Sequence, residues 1–388
     1  MRAAERGVAA HPLMRLGLLP ALGGSLTELR RTGQDSRLID GYFRRYVEAF
    51  DAVSYFSYAP ETLNQFTVDP KIIGRVSLFA PARRGSRAAR AWAIPGEHAE
   101  AIRACEVLRV FQITGVIPAL LARRRFGVPY VTTYGFWYGQ LAKAGPRRVL
   151  KAFVERLGLR HAAAVIVTTE ELGARAASVA KRVELIPNGV DTTHFAPGPR
   201  ASPAGKPRIL YVGRLSPEKN LSTVIEAARH LEPGSTTILT GPGPLRETLA
   251  AQAARLGVLV EFPGVIEQSK LPAVYRGANA FVLASFTEGH PKVLLEAMAC
   301  GIPCVASNCA GNRSLITDGK TGLLFDPHSA TALAACLKRV LTEPGLADSL
   351  ASAARAMVVV RYDLGQRVQQ EIALLQSVAR GRTRDSPV

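Results

Sequence analysis

The hydrophobic positions in the second half of the chain form short runs that alternate with helical patterns. Between two of these runs, residues 218–231 place Leu221, Val224, Ile225 and Ala228 on one helical face. Strands that alternate with helices build a parallel sheet covered on both faces, so this half predicts a doubly wound α/β domain. The predicted strands are 208–213, 236–241, 258–264, 279–285 and 302–307.

The first half repeats this arrangement less regularly, and a segment rich in Pro, Gly and Ala at 195–207 predicts a linker between the halves. We therefore expect two Rossmann-like domains, at 1–194 and 208–370, that face each other across a cleft. The final helix can pack back on the first domain, and residues 379–388 are expected to form a disordered tail. The predicted strands of the first half are 14–20, 52–58, 107–113, 129–135 and 163–169.

Composition and charge indicate the number of folded domains, the cellular location and the kind of partner to expect. The length of 388 residues and the 47% hydrophobic content suit two folded domains. No apolar run approaches the roughly 18–20 residues that span a bilayer, so we expect a cytoplasmic protein that can also lie at the inner face of the cytoplasmic membrane. Residues 1–200 contain 29 Lys or Arg and 16 Asp or Glu, a net +13. This excess indicates an anionic membrane, a lipid phosphate or a nucleic acid as partner, or simply a solvated basic surface.

The segment 287–301, TEGHPKVLLEAMACG, follows a predicted strand and opens a predicted helix. Pro291 suits the first turn of that helix, whose free N–H groups favour a phosphate. Glu296 lies inside the helix, where it would repel a phosphate but can accept hydrogen bonds from a ribose. Glu288, in the loop, can do the same for a sugar. Taken alone, the two glutamates are better explained as surface acids, and their place between a strand and a helix weakens that explanation.

Two further loops follow predicted strands. In YVGRLSPEKN, residues 211–220, Gly213 allows a close backbone approach, and Arg214 and Lys219 supply cations for a diphosphate. Gly23 and Gly24 follow the first strand in the same way. The alternatives are two solvated loop cations and a plain turn.

Four segments together resemble the GT-B glycosyltransferases of family 4. The resemblance implies a retaining enzyme that uses a UDP- or GDP-sugar, with its donor on the second domain and its acceptor on the first. It also implies transfer of a hexose to a glycan or lipid-linked hydroxyl, in the synthesis of cell-envelope polysaccharide or glycolipid. The segments are 186–197, 211–220, 285–307 and 318–327.

The resemblance also implies roles for individual residues. Arg214 and Lys219 would hold the diphosphate and Glu288 would bind the donor sugar, which makes these three the catalytic candidates. Glu296 would bind the ribose, and Val265 lies where the family passes the nucleobase. The remaining donor-binding candidates are Gly23, Gly24, Gly213, Gly289, His290, Pro291, Lys292 and Val293.

The sequence departs from the family on the acceptor side. Many members carry a histidine after the fourth strand of the first domain, where this chain has Tyr134. We expect Tyr134, Phe136, Trp137 and Tyr138 either to stack on an acceptor sugar or lipid or to pack as the end of a strand.

Two features bear on the cofactor and on the membrane. The chain contains no D-x-D motif, so no metal and no cofactor are expected, and positive groups would stabilise the leaving diphosphate instead. Residues 141–162 combine six cations with apolar residues at helical spacing. This segment can lie on an anionic membrane, or pack on the core with a solvated basic face.

Two other functions are compatible with the sequence. A GT-B relative could act on the sugar nucleotide alone, as an epimerase or a hydrolase. A basic nucleic-acid-binding protein would explain the charge, but the chain contains no recognised nucleic-acid module, so no nucleic acid is expected as partner.

Overall fold

The strands form two parallel sheets in the computed structural model, which describes residues 14–82, 85–136, 145–198 and 205–385. The first sheet has the order β3-β2-β1-β4-β5-β6-β7 and the second the order β10-β9-β8-β11-β12-β13. The first sheet contains β1 (Arg15–Leu19), β2 (Ala52–Phe56), β3 (Val76–Phe79), β4 (Val107–Val110), β5 (Tyr130–Tyr134), β6 (Ala164–Val167) and β7 (Val183–Leu185). The second contains β8 (Arg208–Val212), β9 (Thr236–Thr240), β10 (Leu259–Gly264), β11 (Ala280–Leu283), β12 (Cys304–Ser307) and β13 (Leu323–Phe325).

Helices connect the strands and cover the sheets. The α-helices are α1 (Leu26–Arg31), α2 (Asp35–Leu38), α3 (Arg44–Ala49), α4 (Pro70–Arg75), α5 (Arg87–Glu97), α6 (Ala99–Arg103), α7 (Val116–Phe126), α8 (Pro146–His161), α9 (Glu170–Ala177), α10 (Leu221–Ala228), α11 (Arg246–Leu256), α12 (Leu271–Arg276), α13 (Lys292–Ala299), α14 (Ala310–Arg313), α15 (Ala330–Thr342), α16 (Leu346–Arg361) and α17 (Leu364–Asp385). A π-helical turn at Ile39–Phe43 joins α2 to α3, and short 3₁₀ turns lie at Leu63–Gln65, Ile113–Gly115, Pro217–Lys219 and Gln268–Lys270.

The central strands show why the chain folds this way. Every residue of β4, β6, β11 and β12 is buried, as expected for parallel strands with helices on both faces. The predicted GT-B architecture of two doubly wound domains is confirmed. In each sheet the strand order runs outward in both directions from the first strand, β1 or β8. The loops after β1 and β8 therefore lie at the topological switch point, where ligands bind in such sheets.

The last helix returns to the first domain. Leu364, Val368, Ile372 and Leu375 of α17 are buried in the core that also contains Leu16 of β1. The helix continues through Asp385, and Ala379 is buried. The expectation of a disordered tail from residue 379 is therefore wrong for 379–385, which continue the helix. The Arg382 guanidinium also donates to the carbonyl of Phe126 in the first domain over 3.4 Å. Residues 386–388 lie outside the described residues.

Three strands lack a clear signal in the sequence. β3, β7 and β13 are only three or four residues long, and β3 and β7 are partly exposed at the two edges of the first sheet. Residues 199–204 of the predicted linker lie outside the described residues. Across the part of the chain that the structure describes, none of the helices is long and apolar enough to cross a bilayer.

Candidate functional site

Loops that follow strands of both sheets meet across a cleft. The Asn188 side-chain amide donates to the carbonyl of His290 over 2.8 Å. The Ser36 hydroxyl donates to Gln268 Oε1 over 3.1 Å. Because the two residues in each pair belong to different domains, these contacts bring the predicted donor loops against the first domain.

Lys219 and Glu288 form an ion pair on the second domain, with Lys219 Nζ 2.6 Å from Glu288 Oε1. Lys219 ends the short turn after β8, and Glu288 lies in the loop after the neighbouring strand β11. The Ser285 hydroxyl also donates to Glu288 Oε1, over 2.6 Å. The structure thus brings together the two residues predicted for diphosphate and sugar, and Ser285 orients the carboxylate.

Glu296 is buried and is held by two partners. Arg37 of α2 pairs with Glu296 Oε1 from the opposite domain, and the Tyr275 hydroxyl donates to Glu296 Oε2 over 2.9 Å. A buried carboxylate needs such partners, since an unpaired one would be costly. Glu296, the residue predicted to bind the ribose, is therefore fixed in place by one residue from each domain.

The loop between Glu288 and α13 passes very close to the first domain. A Cβ atom at Gly289 would overlap the carbonyl oxygen of Gly135, the residue after β5. Any residue other than glycine at this position would therefore push the two loops apart. This close contact between the domains explains why the motif has a glycine at position 289.

His290 is buried, and its side chain contributes to packing. Its ring centroid lies 5.3 Å from that of Tyr362, and its Nδ1 has no hydrogen-bond partner. Burial lowers the pKa of His290 to about 3, and the nearby Lys292 acts in the same direction. Its imidazole is therefore neutral at ordinary pH.

The start of α13 lies at the cleft. Pro291 occupies the position just before the helix, one residue earlier than the sequence predicts, and its side chain offers no cap to the free N–H groups. The carbonyl of Val293 accepts a hydrogen bond from Tyr275 over 3.3 Å. Burial lowers the pKa of Lys292 to about 7, with Arg37 adding to the effect.

The other donor candidates occupy loops at the same edge. Arg214 is exposed, and its carbonyl accepts from the Tyr211 hydroxyl over 2.8 Å. A Cβ at Gly213, whose φ is +154°, would press on that same hydroxyl. Val265 is exposed and lies against Gly33 of the first domain. The roles of Arg214, Gly213 and Val265 in donor binding therefore remain predictions.

Gly23 and Gly24 follow β1 in a tight turn, in which the Gly24 N–H donates to the Ala21 carbonyl over 2.8 Å. Gly23 has φ +81°, a conformation that favours glycine. A Cβ at Gly23 would press on the side chain of Arg87, so the glycine also leaves room for that arginine.

Of the four aromatic residues predicted for the acceptor, the structure describes Tyr134 and Phe136. Tyr134 is buried in the core of the first domain, and its hydroxyl bonds to the Glu155 carboxylate. Burial raises the pKa of Tyr134, with Glu155 acting in the same direction. Tyr134 is therefore a packed strand end and is not open to stack on an acceptor. Phe136 is half-buried beside Gly289, and Trp137 and Tyr138 lie outside the described residues.

Two of the cavities at this edge meet at Arg37. The first, of about 320 Å³, lies among the loop after β1, the ends of β4 and β5 and helix α17, with Lys292 on its wall. The second, of about 300 Å³, surrounds Glu296 and Gln268. Arg37 lines both cavities, so its guanidinium stands between the space beside Lys292 and the space beside Glu296.

Comparisons with known proteins agree with this geometry. The family model described as Glycosyltransferase Family 4 matches residues 37–194, and the model described as Glycosyl transferases group 1 matches residues 195–357. The chain belongs to the GT-B glycosyltransferases of family 4. The structure of HepE from Anabaena, in complex with UDP and glucose, has the same fold, with a TM-score of 0.76 at 20% identity over 94% of this chain and 100% of HepE.

Two curated relatives of this family match the chain in part. A glycogen synthase from Mycobacterium tuberculosis is 34% identical over 47% of this chain and 45% of its own length. A GDP-mannose-dependent alpha-(1-6)-phosphatidylinositol monomannoside mannosyltransferase from Mycolicibacterium smegmatis is 33% identical over 45% of this chain and 50% of its own length. The chain thus spans about half the length of these relatives.

Sequence reasoning missed several residues of this family member's site. Arg37 and Tyr275, which hold Glu296, lie far from it in sequence, and no local pattern marks them. Ser285 lies two residues after β11 and three before Glu288, and its position next to the motif was an available signal. Arg109, Thr133 and Glu371, on the wall of the first cavity, become neighbours only through the fold.

The low pKa of His290 predicts a pH dependence of stability. From pH 7 to pH 5 the unfolded chain binds a proton at this histidine, whose usual pKa is about 6.5, while the folded chain does not until about pH 3. Stability should therefore fall as the pH falls, by roughly 1 kcal/mol for each unit below 6.5. We expect His290→Phe to show a smaller loss of melting temperature between pH 7 and pH 5 than wild type.

The matched control is His328→Phe, which replaces an exposed imidazole and should keep the dependence of the wild type. Equal pH dependence of His290→Phe and wild type, measured by thermal unfolding in the same buffers, would contradict the assignment.

Proposed function

We propose that this protein transfers a hexose from a UDP- or GDP-sugar to a hydroxyl of a glycan or lipid-linked acceptor, with retention of the anomeric configuration. The observation that carries the proposal is the pair of glutamates with their cations: Glu288 beside Lys219, and Glu296 beside Arg37, both at the edge of the second sheet that faces the first domain. The domain at 208–370 holds the donor and the domain at 1–194 holds the acceptor.

The donor's diphosphate needs positive groups, because negative charge grows on it as it leaves. Lys219 and Arg214 follow β8, and the free N–H groups of α13 point into the same edge of the sheet. Together they stabilise the leaving diphosphate without a metal. Lys219 also forms an ion pair with Glu288 over 2.6 Å. The phosphate and the sugar of the donor would therefore lie on either side of this pair.

The two glutamates accept hydrogen bonds from hydroxyl groups of the donor. Glu288 takes the hydroxyls of the transferred sugar, and Glu296 takes the ribose. Ser285 and Tyr275 hold the other bonding positions of these carboxylates, which limits the directions from which a donor hydroxyl can approach. Val265 and the cavity around Gln268 then receive the nucleobase.

The known proteins support a nucleotide-sugar donor. The HepE structure contains UDP and glucose, and the mycobacterial mannosyltransferase is described as dependent on GDP-mannose. These two nucleotides define the donors to test first. The same mannosyltransferase acts on a phosphatidylinositol mannoside, which supports a glycolipid acceptor and a role in envelope synthesis.

Transfer proceeds on one face of the sugar. The bond from the anomeric carbon to the leaving phosphate oxygen breaks, and a bond to the acceptor hydroxyl oxygen forms on the same side. The hydroxyl proton passes to the departing phosphate. The transition state resembles an oxocarbenium ion, and the cations around the diphosphate stabilise the charge that leaves.

The first domain presents a basic and apolar face that suits an anionic membrane. Helices α5 and α8 both pack against α7. Val149, Leu150 and Phe153 of α8 are 70%, 64% and 61% exposed, and Trp92 of α5 is 58% exposed. Arg148, Lys151, Arg156 and Arg160 of α8 are exposed as well.

Part of α8 packs on the core, as one of the two sequence interpretations expects, because Leu159 is buried. Its first turns nevertheless leave large apolar side chains in solvent beside cations. Apolar groups that enter a membrane surface and cations that bind anionic lipids reinforce each other. This face would hold the acceptor domain at a membrane that contains lipid-linked acceptors.

Donor binding is the first prediction. A UDP- or GDP-sugar should raise the melting temperature of the wild-type protein. Lys219→Ala should weaken the binding of that nucleotide at least tenfold, because a charged contact to the diphosphate is worth about 1.5–3 kcal/mol. Glu296→Gln keeps the shape of the buried side chain and should also weaken binding.

The dissociation constants are measured by calorimetry, with Lys320→Ala, an exposed loop lysine, as control. Stabilisation by neither nucleotide, or equal affinities in all four proteins, would sink the donor assignment.

Stereochemistry is the second prediction, and slow donor hydrolysis tests it without knowledge of the acceptor. In D₂O, ¹H NMR should show the α-anomer of the sugar released first from an α-linked donor, together with an equal amount of nucleoside diphosphate. The rate should be unchanged by EDTA. Early release of the β-anomer contradicts retention, loss of activity in EDTA contradicts metal independence, and an epimerised nucleotide sugar indicates chemistry on the donor alone.

Membrane binding is the third prediction. The protein should float with vesicles of phosphatidylglycerol at low salt and detach as salt increases, because screening weakens the attraction. Leu150→Ser combined with Phe153→Ser should reduce the floated fraction several-fold. Val68→Ser, at an exposed valine outside these helices, is the control and should float as wild type does. A wild-type protein that stays at the bottom of the gradient at low salt would rule out this face as a membrane surface.

A further inference from the structure

The cavity beside Lys292 belongs almost entirely to the first domain and its returning helix. Its walls come from the loop at Pro20–Ser25, from Tyr55 of β2, Arg109 of β4 and Thr133 of β5, and from Glu371 of α17. Apart from α17, Lys292 is the one contribution of the second domain among the described residues that line the cavity. The cavity measures about 320 Å³, which is within the range of small-molecule sites.

Positive charge exceeds negative charge on these walls. The lining contains four cations, Arg37, Arg109, Arg367 and Lys292, and one carboxylate, Glu371. Arg109 uses that carboxylate, since its Nε and Nη2 lie 2.7 Å and 2.9 Å from the two oxygens of Glu371. Arg37 pairs with Glu296 on the side of the other cavity. Among the described residues of this wall, no carboxylate is left to balance Lys292 and Arg367.

Several polar atoms on the same walls are buried without a hydrogen-bond partner. They are Tyr55 Oη, Thr168 Oγ1 and Arg367 Nε. Buried polar groups are nearly always bonded, because an unmade bond costs free energy. Each of the three atoms can donate a hydrogen bond, so their natural complement is a group with several acceptor oxygens.

The geometry points to a binding site for an anionic group of the acceptor, a phosphate ester or a carboxylate, with Lys292 and Arg367 as its charged ligands. This inference rests on the proposed function and names the acceptor class for it. The anion sits between Lys292 and Arg367 and compensates the positive charge of these two side chains. Phosphate and carboxylate share this chemistry, and the experiment separates them.

The donor's diphosphate is a different anion with a different site. Arg214, Lys219 and Glu288, the candidates for the diphosphate and the sugar, do not line this cavity, and Glu296 lines the neighbouring one. Gly24 and Lys292, which the family resemblance assigns to the donor, do line it. The anion beside Lys292 is therefore bound mainly by the acceptor domain. It would fix the distance between the acceptor's charged group and the hydroxyl that attacks the donor.

The experiment measures anion binding to the full chain saturated with the nucleotide, UDP or GDP, that binds it. The probes are glucose 6-phosphate and glucuronate, with glucose as the neutral counterpart, at constant ionic strength. We expect at least one anion to bind and glucose not to bind. Lys292→Gln should weaken the anion at least tenfold and Lys292→Arg should retain it, and the loss of anion affinity in Lys292→Gln should exceed any change in its nucleotide affinity.

Lys320→Gln removes an exposed positive charge and serves as the matched control, with anion binding as in wild type. Equal binding of glucose and both anions, or unchanged affinity in Lys292→Gln, would overturn the inference. So would an anion that the nucleotide displaces and that Lys219→Ala abolishes, because that anion occupies the donor site. If neither nucleotide binds, the proposed function fails, and the anion titration without nucleotide still decides this site.

Discussion

The buried ion pair between Arg109 and Glu371 fixes the last helix, α17, against the first domain. Either group left alone in the core would cost several kcal/mol, so α17 is held against β4. The chain must then cross between the domains twice. The crossings lie side by side, because the Val190 N–H donates to Tyr362 O and the Leu364 N–H donates to Val190 O, each over 2.9 Å. This two-stranded joint keeps the strand ends of one domain opposite those of the other.

The joint gives the two glutamates different dependence on domain position. Glu288 pairs with Lys219 inside the second domain, so its geometry survives any movement of the domains. Glu296 pairs with Arg37 across the cleft, so a movement that opens the cleft must break that pair. Opening therefore changes the ribose side of the proposed donor site while the sugar side stays intact. A nucleotide that replaces Arg37 as the partner of Glu296 would break the same contact between the domains. Its binding would therefore be coupled to opening and closure of the cleft.

Local patterns of the sequence predict what local physics determines. The long buried strands, the loops that follow them and the helix after Pro291 all have strong local signals, and the structure has them at nearly the predicted residues. Short edge strands such as β3 and β7 bury too little to leave a pattern. Arg37 and Glu371 are charged residues on helices, and only tertiary contacts distinguish them from solvated ones. Tyr134 looks like a site aromatic because its burial depends on α8, which follows later in the chain.

The positive charge of the first half has two physical roles, which the net charge of that half does not distinguish. The arginines of α8 are exposed beside apolar side chains, where salt screens them and a membrane can attract them. Arg109 and Arg37 lie in or beside a cavity, where low polarity strengthens their fields and each has a carboxylate partner. High salt should therefore weaken the outer group far more than the inner one. An anionic acceptor would meet both fields in turn, first at the surface that holds it and then in the cavity that orients it.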